Sequence, residues 1–221
     1  MDRPLTGGLV IPYVNVHLAD GGADFRTAHH ARYEKCWTEG LCQTCGGRLA
    51  GLAVLFGGPG QLRRRHFSEP PLCAPCALYA SQACPMVGGR METYAGRDPV
   101  AVGSRGKRCA EPGCDCGGWV PSDPAVQGHP GDPAHPWYAL YVRPGAYSVT
   151  AYRAVVRCSD RGCEHGRLLV NGALLADAPL KAVQVSEPGR GRIWKRLDTA
   201  ALAELLGPLP DLSQHETAVL P

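Results

Sequence analysis

Apolar positions recur along this chain in short runs broken by Gly and Pro, without the sustained period of a long helix. Near the N-terminus, Leu9-Val10-Ile11-Pro12-Tyr13-Val14 reads as an extended piece. Phe25, Ala28, His29 and Arg32 recur at helical spacing, which predicts a short helix within Phe25–Trp37. The run Arg48–Phe56 predicts a strand, Gly57-Gly58-Pro59-Gly60 a turn, and Gln61–Phe67 the returning strand of a hairpin. Leu72–Ala83 is Ala-rich and free of internal Gly, which predicts a helix that Pro85 ends.

Residues 91–107 are polar and Gly-rich and read as a linker. Beyond the Pro/Gly/Asp-rich stretch 121–136, Trp137–Val142 and Tyr147–Val156 predict strands joined by the turn Arg143-Pro144-Gly145-Ala146. Shorter strands are expected at Arg167–Asn171, Ala182–Ser186 and Arg192–Arg196. Asp198 or Thr199 caps a final helix running to Leu206, stopped by Gly207 and Pro208.

Composition sharpens this picture. The chain has 221 residues, 44% of them hydrophobic, with 28 Gly and 20 Pro, which suits short elements joined by many turns around a real core. Net charge is +3 but uneven: residues 1–110 carry 13 basic and 8 acidic side chains, residues 111–221 carry 10 and 12. The positive half is compatible with an anionic partner without demanding one. Arginine outnumbers lysine 19 to 4, a ratio that high-GC coding explains better than phosphate contact does. No basic stretch leads into an apolar run at the N-terminus, and no run approaches the roughly 18 apolar residues of a membrane span. The expected compartment is the cytoplasm, where the 11 cysteines stay reduced and need another explanation than disulfides.

That explanation is metal. Cys42-Gln43-Thr44-Cys45-Gly46 is a C-x-x-C-G knuckle, whose backbone N–H groups stabilise thiolate charge and whose Gly tolerates a left-handed backbone. Cys73-Ala74-Pro75-Cys76 opens the expected helix, where the dipole and free N–H groups also favour thiolate. Four thiolates suit Zn²⁺, with an iron–sulfur or rubredoxin-like iron site as the alternative. Cys36 and Cys84 flank this cluster and are expected to pack as small apolar side chains, with a redox pair as the alternative.

A second zinc is expected from an internal echo. Cys109 to Gly117 aligns with Cys158 to Gly166 in the shared form C-[AS]-[ED]-x-G-C-[DE]-[CH]-G. Of six soft ligands, Cys109, Cys114, Cys158 and Cys163 are the expected four, with Cys116 and His165 as substitutes. An open position at this site would make it catalytic rather than structural.

The order knuckle, hairpin, helix with the second cysteine pair resembles a treble-clef zinc finger over roughly residues 40–84. The same scaffold carries the HNH nucleases, and that resemblance implies a general-base His on the hairpin, a metal-binding His on the helix and commonly an Asn. His66 follows Arg63-Arg64-Arg65, but Leu72–Ala83 holds neither His nor Asn, so the scaffold is expected without the nuclease chemistry. Leu41-Cys42-Gln43-Thr44-Cys45-Gly46, Pro70-Pro71-Leu72-Cys73-Ala74-Pro75-Cys76-Ala77 and Ala83-Cys84-Pro85 together also resemble an uncharacterised cysteine-rich protein family of high-GC bacteria, which implies no activity.

The expected fold is therefore α+β: an N-terminal extension (1–35), a treble-clef-like zinc-binding unit (36–90), a linker (91–107), a β-rich zinc-stabilised unit with a C-terminal helix (108–206), and a tail (207–221). The expected function is a zinc-dependent binding module for nucleic acid or a protein partner. The alternatives are a zinc enzyme using the second cluster or a diverged nuclease using His66. Arg63, Arg64 and Arg65 are the candidate phosphate contacts, or else a solvated loop.

Overall fold

In a computed structural model of the chain, residues 3–17, 21–94, 118–119, 131–158 and 164–209 are described. Two small antiparallel ribbons lie at the N-terminus: β1 (Leu5–Thr6) with β2 (Leu9–Val10), and β3 (Asn15–His17) with β4 (Ala23–Ala28). Helix α1 (His30–Thr38) follows. Ladder pairing to β3 therefore claims the first residues of the expected helix, and the helical part begins five residues later than Phe25.

The centre is a four-stranded antiparallel sheet in the order β12-β11-β8-β5. Its strands are β5 (Ala53–Gly57), β8 (Trp137–Val142), β11 (Lys181–Glu187) and β12 (Gly191–Arg196). A second antiparallel sheet has the order β6-β10-β9-β7, from β6 (His66–Phe67), β7 (Gly118–Trp119), β9 (Tyr147–Cys158) and β10 (Glu164–Leu175). Both draw strands from either side of residue 100: β5 pairs with β8, and β6 with β10.

Every residue of β5 is buried because the central sheet is covered on both faces. Alternate residues of one strand face opposite ways. Ala53 and Leu55 join Tyr138, Leu140, Val142 and Ala182 in a core shared with Phe67, Val149, Val170, Ala173 and Leu175 of the second sheet. Val54 and Phe56 join Ala139, Val183 and Val185 on the other face, against Leu72, Cys76 and Ala77. A strand buried on both faces reads as a continuous apolar run, which is why Ala-Val-Leu-Phe is legible without alternation.

Strands β8 and β9 are joined by the expected turn, where Ala146 N–H donates to Arg143 O at 3.0 Å. They do not pair with each other; the turn carries the chain from one sheet to the other, and β9 pairs with β10 along its length. Asn171 is the extra residue at a bulge in that ladder.

The expected return strand Gln61–Phe67 is a correction. Residues Pro59–Arg64 form a helix, α2, and only His66–Phe67 is strand. Pro59 is pre-set for the first helical turn, and the Gln61 Oε1 accepts from Gly58 N–H at 3.0 Å. Leu62 then anchors α2 in the inter-sheet core. Helix α3 (Ala74–Ala83) and helix α4 (Thr199–Leu205) lie where expected, α4 capped by Asp198 Oδ1 accepting from Ala201 N–H at 2.8 Å. No helix among the described residues is long and apolar enough to cross a membrane.

Candidate metal centre

The turn carrying Cys42 and Cys45 is closed by an isolated bridge between Leu41 and Arg48. Cys42 N–H donates to Gly47 O, and Gly46 N–H to Cys42 O, both at 2.8 Å. Gly46 has φ +75, and a Cβ there would meet the Tyr13 ring at 2.9 Å, so both backbone and packing require glycine. The second pair is brought alongside by three backbone bonds: Gln43 N–H to Pro71 O, and the reciprocal pair between Val54 and Leu72. Cys73 then stands at the N-cap of α3 and Cys76 in its first turn.

The result is a cluster in which the ligand atoms of Cys42, Cys45, Cys73 and Cys76 all lie within 4.8 Å of one another. The Cys45 and Cys73 sulfurs are 4.0 Å apart. A tetrahedron with Zn–S bonds of about 2.3 Å has sulfurs about 3.8 Å apart, so the cage has the size of a tetrathiolate site. Cys42 and Cys76 are fully buried, while Cys45 and Cys73 are half-buried. Among the described residues the ligand atoms in reach are all sulfur, with no His or carboxylate completing the group.

Electrostatics favour an anionic sulfur at Cys42. Its pKa is lowered to about 5, first by the Cys76 thiol hydrogen-bonded to it and, against the cost of burial, by backbone hydrogen bonds from Cys45, Cys73 and Thr44. Cys76, the donor in that pair, is pushed up by the same bond. A metal ion takes the place of that shared proton when all four sulfurs ligate.

Two arginines that the sequence did not single out stand close by. Arg3 and Arg32 place their guanidinium carbons 5.7 and 5.4 Å from the centroid of the Tyr13 ring. Arg32 donates to Tyr13 O and Asn15 O, and Arg3 to Ile11 O. Tyr13 N–H in turn donates to Thr44 O inside the knuckle at 2.9 Å. Arg3 also interacts electrostatically with Cys45, so it would offset part of the negative charge of a thiolate cage. No spacing rule points from an N-terminal Arg to a knuckle forty residues on.

Cys36 is fully buried on α1 and outside the four-sulfur group. Burial pushes its thiol up to about 12, with the nearby Cys42 and Cys45 adding to the shift. Cys84 lies half-buried at the C-cap of α3, and both have free sulfurs.

The arginine triplet is divided by the fold. Arg63 and Arg64 are exposed on the last turn of α2. Arg65 has a left-handed backbone at φ 52, its Nε donates to Gly207 O at 2.8 Å, and its carbonyl accepts from Leu175 N–H. It ties α2 to the chain after α4. His66 Nε2 lies 2.9 Å from Thr150 Oγ1, which donates to Asn171 Oδ1 at 2.9 Å. His66 is thus part of a polar network on the second sheet rather than a companion of the sulfurs.

Of the second cluster, Cys109, Cys114, Cys116 and Cys163 lie outside the described residues. Cys158 ends β9 and His165 lies on β10 in register with Val156. The register of β7 on β9 pairs Gly118 with Cys158. The chain matches no family model, no curated protein and no solved structure.

Proposed function

We propose that Cys42, Cys45, Cys73 and Cys76 hold one structural zinc ion, and that the protein is a zinc-stapled binding module whose partner is nucleic acid. The observation that carries the zinc reading is the four-sulfur cage itself, all ligand atoms within 4.8 Å and none of them nitrogen or oxygen. Closed tetrathiolate sets are structural; catalytic zinc keeps a position for water. The knuckle followed by a helix with the second pair fits a treble-clef variant, in which a strand, a short helix and a two-residue strand replace the hairpin. Exposure of Arg63 and Arg64 and the net charge of +3 support an anionic partner.

A second zinc is the companion reading. Two observations favour it: the nine-residue echo, and the pairing of Gly118, which directly follows the first echo segment, with Cys158, which opens the second. Elemental analysis of protein purified without chelator tests both. Two zinc equivalents support the pair of sites, one equivalent lost in Cys76→Ser supports the cage alone, and none refutes the reading.

A further inference from the structure

Among the described residues, strand β12 pairs with β11 alone and so forms an edge of the central sheet. Residues 190–196 read Arg-Gly-Arg-Ile-Trp-Lys-Arg, four cations in seven positions with no acid, inside the half of the chain that is net negative. Opposite the single residue Val185, β12 spends two, Ile193 and Trp194, because Gln184 pairs with Lys195 and Ser186 with Arg192. Trp194 takes the left-handed backbone of this bulge at φ 52, an uncommon state for a bulky side chain, and packs half-buried against the core that holds Cys42 and Cys76. By register Arg192 and Lys195, opposite Ser186 and Gln184, lie on one face of the strand and Arg196, opposite Val183, on the other; these three and Ile193 are exposed along the edge.

The two ends of the strand are accounted for. Gly191 N–H donates to Gly89 O, and Arg190 Nη1 is paired with Glu187 at 2.8 Å. Arg192, Lys195 and Arg196 have no salt bridge among the described residues. A bulge and charged side chains each protect a sheet edge from aggregation. Here a bulge and three unpaired cations occur together, and the bulge makes the edge a poor template for a further strand. What remains as a recognition device is the side chains.

We infer that the exposed edge strand Arg192–Arg196 is a phosphate-contacting surface for the sugar–phosphate backbone of a nucleic acid, with Arg192, Lys195 and Arg196 as the contacts. This rests on the nucleic-acid reading above and names a different surface from Arg63 and Arg64. Three cations of one sign match the charge of successive phosphates, and Ile193 between them offers apolar contact to sugar faces. The surface reads no base edge, so binding is independent of sequence.

The test is anisotropy of a labelled oligonucleotide, single-stranded and duplex, titrated with the full-length protein over a salt series. The variants are Arg192→Ala/Lys195→Ala/Arg196→Ala, the charge-retaining Arg192→Lys/Lys195→Arg/Arg196→Lys, and Arg63→Ala/Arg64→Ala. Each lost contact removes about 0.7–0.9 from the salt slope, so the triple Ala variant loses about 2–3 units and the charge-retaining variant none. Between about 50 and 200 mM salt, wild-type affinity then falls about 20–40-fold more than the triple variant's. An unchanged slope in the triple variant with a reduced one in Arg63→Ala/Arg64→Ala overturns this surface and leaves the nucleic-acid reading standing. No binding of either strand form by wild type at low salt overturns both. Complete competition by a poly-glutamate peptide at equal charge concentration overturns the inference in favour of an acidic protein partner. An unchanged melting temperature in the triple variant shows that lost binding is not lost fold.

Discussion

Replacing Cys76 by serine removes a fully buried sulfur from the four-cysteine cage and changes side-chain volume little. Its neighbours Val54, Leu72, Ala77 and Val185 keep their contacts, so the loss reports the metal rather than a cavity. Breaking a buried charged set by deleting one member costs about 3–5 kcal/mol, because the remaining charges stay buried and uncompensated. For a chain of this size each kcal/mol moves the melting temperature by about 2–4 °C, so a fall of about 6–20 °C is expected. Cys36→Ser is the matched control: it is equally buried, lies outside the cage, and costs only the roughly 1–3 kcal/mol of an unsatisfied hydroxyl. The assay is thermal unfolding followed by circular dichroism, with and without a strong chelator, alongside zinc content. Chelator should lower the wild-type melting temperature and do so less in Cys76→Ser, since the two perturbations act on one site. A Cys76→Ser protein that keeps its full zinc content and melts within about 2 °C of wild type would refute the reasoning.

Further outcomes are expected elsewhere in the molecule. Gly172 has φ +140, and a Cβ there would overlap the Phe67 carbonyl where β6 joins β10, so Gly172→Ala should lower urea stability by about 2 kcal/mol or more. The Cys36 thiol, raised from 9.0 to about 12, should resist alkylation in native protein at about pH 8 while reacting after denaturation. The folded value lies above the unfolded one, so its contribution is full below about pH 9 and lost as pH rises through about 12; Tyr147, also raised to about 12, adds in the same direction. Melting temperature should therefore fall between those pH values, and less steeply in Cys36→Ala. Cys158→Ser should remove a zinc equivalent that Cys76→Ser leaves in place; a Cys158→Ser protein with unchanged zinc would dismiss the second site.

The pairing C-x-x-C with C-x-x-C is a local, covalently enforced signal, and the cage formed from it needed nothing but the knuckle turn and a helix start to be legible. The same holds for α3, stopped by Pro85, and for α4, capped by Asp198. Between the pairs, the alternating-looking run Gln61–Phe67 read as strand, while Pro59 and Gln61 carried the helix-start signal that Gly58 and Gly60 masked. At the N-terminus the helix signal of Phe25–Trp37 was partly right, because helical and strand neighbours compete for the same residues and β3 supplied the partner that decided. The strand Arg192–Arg196 was visible in the sequence, yet its basic character gains meaning only from the sheet edge it occupies.

The two C-x-x-C pairs, the strands of the central sheet and the helices α3 and α4 were legible in the sequence alone, since each rests on neighbours within a few residues. Sheet membership was decided only by the tertiary structure: a four-residue turn looks the same whether its strands pair or part, and β8 and β9 part because the first is buried on both faces while the second pairs with β10 along its length. So was the division of the arginine triplet, where Arg65 spends its guanidinium on Gly207, 142 residues away, and leaves Arg63 and Arg64 to solvent. Contacts at that separation leave no periodic trace in the chain, because they are set by which faces remain to be buried after the local elements have formed.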